Sequence, residues 1–172
     1  MKHFIQTVMN TICGVLLMMG LIVTGCQQPD AMLEQNRALA DRFHMDIFLQ
    51  GKLDVADEIL SSDFVAHAPA PPDFTEGPEG VKRWSIALRT GFPDDMWIKH
   101  HETIAEGDLV MIRWEGGGTH TGDLMGIPAS GNTVAFTGFD LFRIEGGKIV
   151  EMWQEQDVLG MMQQIGALPT PE

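Results

Sequence analysis

The chain has no tyrosine, and its two cysteines, Cys13 and Cys26, both lie near the N-terminus. The rest of the chain therefore cannot close a disulfide on itself, and it offers no cysteine cluster to a metal. Basic residues are scarce: 11 Lys and Arg stand against 24 Asp and Glu, for a formal net charge of −13. No stretch concentrates them, which excludes nucleic acid as a partner and argues against a broad electrostatic grip on anionic lipid. There is no Gly-x-Gly-x-x-Gly fingerprint, no phosphate loop, no Gly-x-Ser-x-Gly elbow and no His-Glu-x-x-His pair, so dinucleotide, phosphate-loop, serine-hydrolase and helical zinc chemistry lose their usual signatures. Internal repeats are missing as well.

Charge is also absent from residues 4–23, an apolar run that follows Lys2 and His3 and ends in Val23-Thr24-Gly25-Cys26. Small residues before a cysteine behind such a run are the pattern of an export-processing site. The segment resembles the lipobox of bacterial lipoprotein precursors, in which the cysteine thiol is acylated and becomes the new N-terminus. That resemblance implies a signal peptide over 1–25, a short lipidated tether over 26–30 with Cys26 as the attachment point, one folded domain over 31–168 and a tail over 169–172. A retained signal-anchor helix is the alternative. Either way, the domain is expected outside the cytoplasm, held at a membrane of the bacterial cell envelope. Every Asp and Glu follows Cys26, so the acidic character belongs to the domain and the lipid does the anchoring.

The period of the apolar residues predicts the elements. Leu39, Phe43 and Ile47 are spaced by four and predict a helix over 31–48. Val55, Ile59 and Leu60 suggest a short second helix, and residues 64–67 a brief extended segment ended by Pro69, Pro71 and Pro72. Gly77-Pro78 opens a third helix whose apolar face is Val81, Trp84 and Leu88. Alternation then takes over, predicting strands at 97–104, 109–115, 134–144 and 148–153, with a sharp bend or bulge at Gly116-Gly117-Gly118. Met161, Met162 and Ile165 allow the tail to dock as a helical turn. Three helices followed by a curved sheet is an α+β plan, with a pocket expected where helices and bent strands fail to meet.

Asp140 is the leading candidate for chemistry. Period two puts it on one face with Phe136, Gly138, Phe142 and Ile144, a face otherwise apolar or small. Enclosed there, a carboxylate would favour its neutral acid and be available for proton transfer. Exposure at a rim, or pairing with Arg or His, is the structural alternative. His120, among the glycines of residues 116–122, could orient a carbonyl, donate a proton or merely pin its loop. His67, at the start of the proline-rich loop, could stand at a pocket mouth or be structural. Phe43, Trp84, Phe142 and Trp153 are the candidate pocket walls. His44, His100 and His101 carry less, since adjacent histidines cannot both face inward from a regular strand. A metal site would need His67, His120 and Asp140 to converge; none is expected.

The segments Gly118-Thr119-His120-Thr121-Gly122, Gly126-Ile127-Pro128-Ala129-Ser130-Gly131, Phe139-Asp140-Leu141-Phe142-Arg143-Ile144 and Gly147-Lys148-Ile149-Val150-Glu151-Met152-Trp153 resemble the SnoaL-like polyketide cyclase family of the nuclear-transport-factor-two-like superfamily. The resemblance implies a cone-shaped, curved, mixed or antiparallel sheet covered by three N-terminal helices. It implies an enzyme that closes a ring by intramolecular aldol condensation, or enolises, isomerises or dehydrates a related substrate, without a cofactor. Asp140 falls at the family's acid/base aspartate, His120 at the histidine of its Gly-Thr-His segment, and Trp153 at a late-strand aromatic wall. The implied substrate is an apolar carbonyl compound. Because the scaffold hosts unrelated functions, a non-catalytic envelope module that binds a small apolar ligand or a protein partner is the alternative. Cones of this kind often pair, so a homodimer through the outer sheet face around Thr137, Phe139 and Leu141 is also expected. Phe43 stands where the related steroid isomerases carry an oxyanion-hole tyrosine, and Ala68 follows His67 where their second aspartate would be sought.

Overall fold

The computed structural model describes residues 29–169. The apolar run, Cys13, the lipidation candidate Cys26 and the end of the tail lie outside those residues. Two compact units divide the chain, Met1–Met32 and Leu33–Glu172; apart from the first turn of its first helix, the architecture below is that of the second. Among the described residues no helix is long and apolar enough to cross a membrane.

The expected first helix is two structures in series. An α-helix, α1 (Pro29–Arg42), gives way to a π-helical segment, Phe43–Leu49. Phe43, His44, Ile47 and Phe48 all face inward from this segment. Carbonyls at the end of this segment are taken up from another helix: Ser85 Oγ donates to Ile47 O at 2.7 Å and Arg89 Nη1 to Phe48 O at 3.3 Å. The unusual winding is thus fixed by tertiary hydrogen bonds that the local sequence does not announce.

A short helix α2 (Val55–Ile59) leads into β1 (Leu60–His67), and a 3₁₀ turn at Pro72–Phe74 precedes α3 (Gly77–Gly91). Leu60, grouped with the second helix on period, is the first residue of the strand. Proline occupies the first turn of α3 as expected. Four strands follow: β2 (Trp97–Glu106), β3 (Leu109–Thr119), β4 (Thr133–Glu145) and β5 (Lys148–Gln156), then α4 (Val158–Gln164). The open five-stranded sheet has the order β1-β5-β4-β3-β2. β1 runs parallel to β5 and the other neighbours are antiparallel, so the sheet is mixed. Gly146 and Gly147, at φ 56° and 77°, make the tight turn between β4 and β5.

The triple glycine introduces no bulge. Gly116, Gly117 and Gly118 continue β3 in register with Phe136, Ala135 and Val134. Glycine is needed for closeness instead: a Cβ on Gly117 would lie 2.1 Å from the Val134 carbonyl oxygen. The main core lies between the helices and the inner face of the sheet, with Phe43, Ile47, Phe64, Val81, Ile112 and Phe142 fully buried or nearly so. A second cluster of Phe92, Leu124, Val134, Met161 and Ile165 docks α4, as the tail methionines suggested.

Candidate active site

Asp140 projects from the centre of β4 on the inner face, and it is fully buried. Its Oδ2 is 2.6 Å from Nε2 of His44, a residue only 4 % exposed. The other ring nitrogen of His44, Nδ1, is 2.8 Å from Nε2 of His100 on β2. Nδ1 of His100 lies 3.2 Å from Oδ1 of Asp41, an exposed carboxylate on α1. A continuous file of titratable groups, Asp140–His44–His100–Asp41, therefore runs from the core to the surface. Burial pushes the His100 imidazole below its ordinary value; the His44 charge adds to that, while Asp41 opposes it. Of the neighbouring histidines, only His100 turns inward. His101 faces Glu115 at 3.3 Å, and the ladder slips between His100 and Thr103.

Beside this file is a partly open cavity of about 110 Å³, with walls that are predominantly apolar. Phe43, His44, Trp84, Trp114, Phe136 and Gln154 are among its lining residues. An apolar cavity of about 150 Å³ accommodates benzene. The enclosed space here is thus of single-ring size, and a larger molecule must extend through the mouth, which Pro69, Pro71 and Met125 help to form. Trp114 takes its place because β4 carries no side chain beneath it: a Cβ on Gly138 would come within 2.4 Å of the indole. Asp140 itself does not reach the cavity surface, whereas Gln154, its register partner on β5, does. Oδ1 of Asp140, Oε1 of Gln154 and Nε1 of Trp114 are all buried without a hydrogen-bond partner. Such unmet polar atoms are costly in a core, and each calls for an explanation.

The structure brings together only part of the expected set. Phe43 and Trp84 line the cavity; Phe142 lies in the core instead, its ring 5.8 Å from that of His44. Trp153 is not a cavity wall. Strand alternation points Met152 and Gln154 inward and Trp153 outward, where it stacks on His67 with centroids 5.3 Å apart and lies under the Arg143 guanidinium. His67, with 48 % of its side chain exposed, is bound to Glu151 at 2.8 Å on that outer face. It is a neighbour of Trp153, and of neither the cavity nor Asp140.

His120 is fully buried but elsewhere. It follows the end of β3 at Thr119, while Asp140 pairs with Ile112, on the order of 20 Å away along the strand. The Ser130 N–H donates to His120 Nδ1 at 3.3 Å, and the main chain of His120 binds Asn132 and Gly131. His67, His120 and Asp140 therefore do not converge, and among the described residues no group of three or more His, Cys, Asp or Glu is arranged to hold a metal. The residues that sequence reading undervalued are His44, His100, Trp114 and Gln154. Alternation of Ile98 and His100 was a usable signal for the latter; nothing in the sequence marks the π-helical turn that aims His44.

The family model described as SnoaL-like polyketide cyclase matches residues 38–165. The chain is 31% identical over 116 residues to aklanonic acid methyl ester cyclase DnrD of Streptomyces peucetius, covering 67% of this chain and 77% of that one. It is 29% identical to the cyclase DauD, of the same description, from Streptomyces sp. strain C5, over 64% of this chain and 73% of the relative. Among solved structures, TsrD from Streptomyces laurentii superposes with a TM-score of 0.67 at 27% identity, covering 78% of this chain and 97% of that one.

Proposed function

This chain belongs to the SnoaL-like polyketide cyclase family, and from that premise we propose that Asp140, held by His44, performs cofactor-independent acid/base chemistry on an apolar carbonyl compound. The reaction is ring closure of the aldol kind, or simpler enolisation. At the coarser level, family membership supports a cyclase or related enzyme. The observation that carries the finer reading is the buried 2.6 Å contact between Asp140 and His44, a residue of the apolar cavity wall.

Oδ2 is committed to His44, which leaves the unpartnered Oδ1 as the atom that exchanges a proton. It takes the hydrogen from the carbon beside one carbonyl. The resulting enolate carbon bonds to a second carbonyl carbon, and the proton passes to the new alkoxide oxygen, which regenerates the carboxylate. Gln154, the register partner of Asp140, lines the cavity where Asp140 does not. Its own Oε1 has no partner, so substrate that displaces the side chain breaks no hydrogen bond at that atom. Trp114 Nε1, also without an acceptor, is the donor on hand for the developing enolate oxygen, in the role the absent tyrosine would have filled. His44 takes the partner role expected of His120.

Two probes test this reading: deuterium uptake by 2-tetralone in D₂O, and conversion of aklanonic acid methyl ester, the compound in the relative's name. The folded domain should accelerate at least one, and Asp140→Asn should lower kcat by about 10²–10⁴-fold with its circular dichroism unchanged. A fully active Asp140→Asn ends the assignment. The complete burial of Asp140 favours one second reading, a module that binds an apolar ligand without turning it over. Quenching of tryptophan fluorescence by 2-tetralone, with no exchange above the buffer rate, would select it.

Lipid attachment at Cys26, with the domain outside the cytoplasm at the cell envelope, remains part of the proposal. It is supported by Val23-Thr24-Gly25-Cys26 behind the uncharged run. The intact mass of protein extracted from membranes, compared with Cys26→Ser, tests it. Pairing of two copies is assigned to the outer sheet face, where Phe139 is 47 % exposed; sedimentation of Phe139→Glu tests that.

A further inference from the structure

We propose that His100 and Asp41 form the outer half of a proton relay that sets the protonation state of Asp140 through His44. The relay rests on the reading of Asp140 as the acid/base group, and it makes His100 a positioning residue that acts at a distance from the substrate.

Two hydrogen bonds, Asp140–His44 and His44–His100, each need one hydrogen between their atoms, and the 3.2 Å ion-pair contact of His100 with Asp41 places a third on His100 Nδ1. With both carboxylates ionised, three hydrogens on two imidazole rings mean one neutral ring and one cation. Place the cation on His100. Its Nδ1–H then faces Asp41, its Nε2–H donates to His44 Nδ1, and His44 Nε2–H donates to Asp140 Oδ2. Now let two hydrogens move, one from His44 Nε2 to Oδ2 and one from His100 Nε2 to His44 Nδ1. Every contact is still bridged, no ring has turned, the charge on His100 is gone and Asp140 is a neutral acid. A proton taken up at the exposed end thus appears at the buried end without any group crossing the core.

The surroundings favour this direction of transfer. His100 is faced by Asp41 from α1, by His44 from the π-helical segment and by Asp140 from β4. Trp114, opposite it on β3, is uncharged. Its strand neighbours Lys99 and His101 are turned to Glu115. Burial makes His100 a reluctant cation, inclined to pass a proton inward, and the 58 % exposed Asp41 supplies the contact with water. The π-helical segment carries both Phe43, which packs in the core, and His44, which bridges Asp140 and His100.

Because the reacting form of Asp140 is the carboxylate, kcat for 2-tetralone exchange should fall as pH drops through the His100 titration. Asp41 holds that titration up. Asp41→Asn, a surface change that leaves the fold intact, should therefore move the acid limb to lower pH by a few tenths of a unit, up to about 0.7. His100→Ala should remove the histidine limb and lower kcat roughly 10-fold, and added imidazole should restore both. In ¹⁵N-histidine spectra of the ligand-free protein, His44 and His100 should titrate together and should shift together in Asp41→Asn. Profiles unchanged in both variants, while Asp140→Asn is inactive, would overturn the relay and leave the Asp140 assignment standing. Should Asp140→Asn stay active, the function falls, and the spectra alone decide the relay: independent titration of the two rings overturns it.

Discussion

Two fully or almost fully buried histidines sit at opposite ends of the same pair of strands, and their settings differ in one respect. At the Asp140 end, both ring nitrogens of His44 are engaged, one by a carboxylate and one by another imidazole. At the far end, His120 has Ser130 on Nδ1, Phe92 beside its ring and nothing on Nε2. A histidine wired at both nitrogens can pass a proton through; His120, tied at a single nitrogen, has no second partner to pass one to. The distinction lies in connectivity, which burial alone does not reveal, and it inverts the order of interest that the sequence suggests.

The comparison breaks most visibly at His44. His44→Ala strips a buried carboxylate of its partner, and such a loss costs about 3–5 kcal/mol because the charge is left uncompensated. Asp140→Leu combined with His44→Phe removes both ends and should recover most of that stability while remaining inactive. Urea unfolding of the three proteins measures the difference. If His44→Ala is as stable as the parent, the pair is not the buried ion-bound unit described here.

His120→Ala sharpens the other side. It deletes a fully buried ring and its contacts to Ser130, at a cost of about 1–3 kcal/mol. The remaining folded molecules should exchange 2-tetralone within about threefold of the parent rate. A loss as deep as that of Asp140→Asn, with the fold intact, would return His120 to the chemistry.

A smaller effect separates the two ends by pH. The folded state disfavours charging His100, so the unfolded chain binds that proton more readily. Its contribution to stability is present above the unfolded value of 6.5 and is lost as pH falls from there toward the depressed folded value. Asp46, Asp95, Glu102 and Glu115 are held down instead: Asp46 by Lys52, Asp95 by the Thr119 hydroxyl and N–H, Glu102 by Arg113 and Glu115 by Lys99. Their contribution is lost only at lower pH, below the carboxylate values of 3.8 and 4.5. Tm should thus descend in two steps on acidification, and His100→Gln should erase the upper one.

What the sequence made legible follows from local physics. The strand period put Asp140 inward with Phe136, Gly138 and Phe142; proline opened α3; the glycine pair turned β4 into β5. The mixed sheet was anticipated from family likeness, although the parallel pairing of β1 with β5 joins segments too far apart for any local pattern to register them. His44 was hidden for a different reason. The π-helical segment that carries it is hydrogen-bonded by Ser85 and Arg89 from α3, about 40 positions away. Gly116–Gly118 misled because glycine in a strand signals either a bend or a close neighbour, and the neighbour, the Val134 carbonyl, is on another strand.

The smallest expected effect lies on the outer face, where the structure places His67 and Trp153, two residues expected at the pocket. His67 stacks on Trp153, Arg143 lies over the same indole, and Glu151 binds both side chains, His67 at 2.8 Å and Arg143 at 3.3 Å. This cluster is half open to water, so its ion pairs are screened, and stacking supplies most of what holds it. His67→Ala should cost no more than about 1 kcal/mol, and exchange kinetics should be unchanged because the cluster shares no residue with the cavity lining. Trp153→Ala should cost somewhat more, through lost stacking, and again spare kcat. A kcat defect in His67→Ala at unchanged stability would mean that the outer face takes part in the reaction, and the contrast between a reactive interior and an inert exterior would fail.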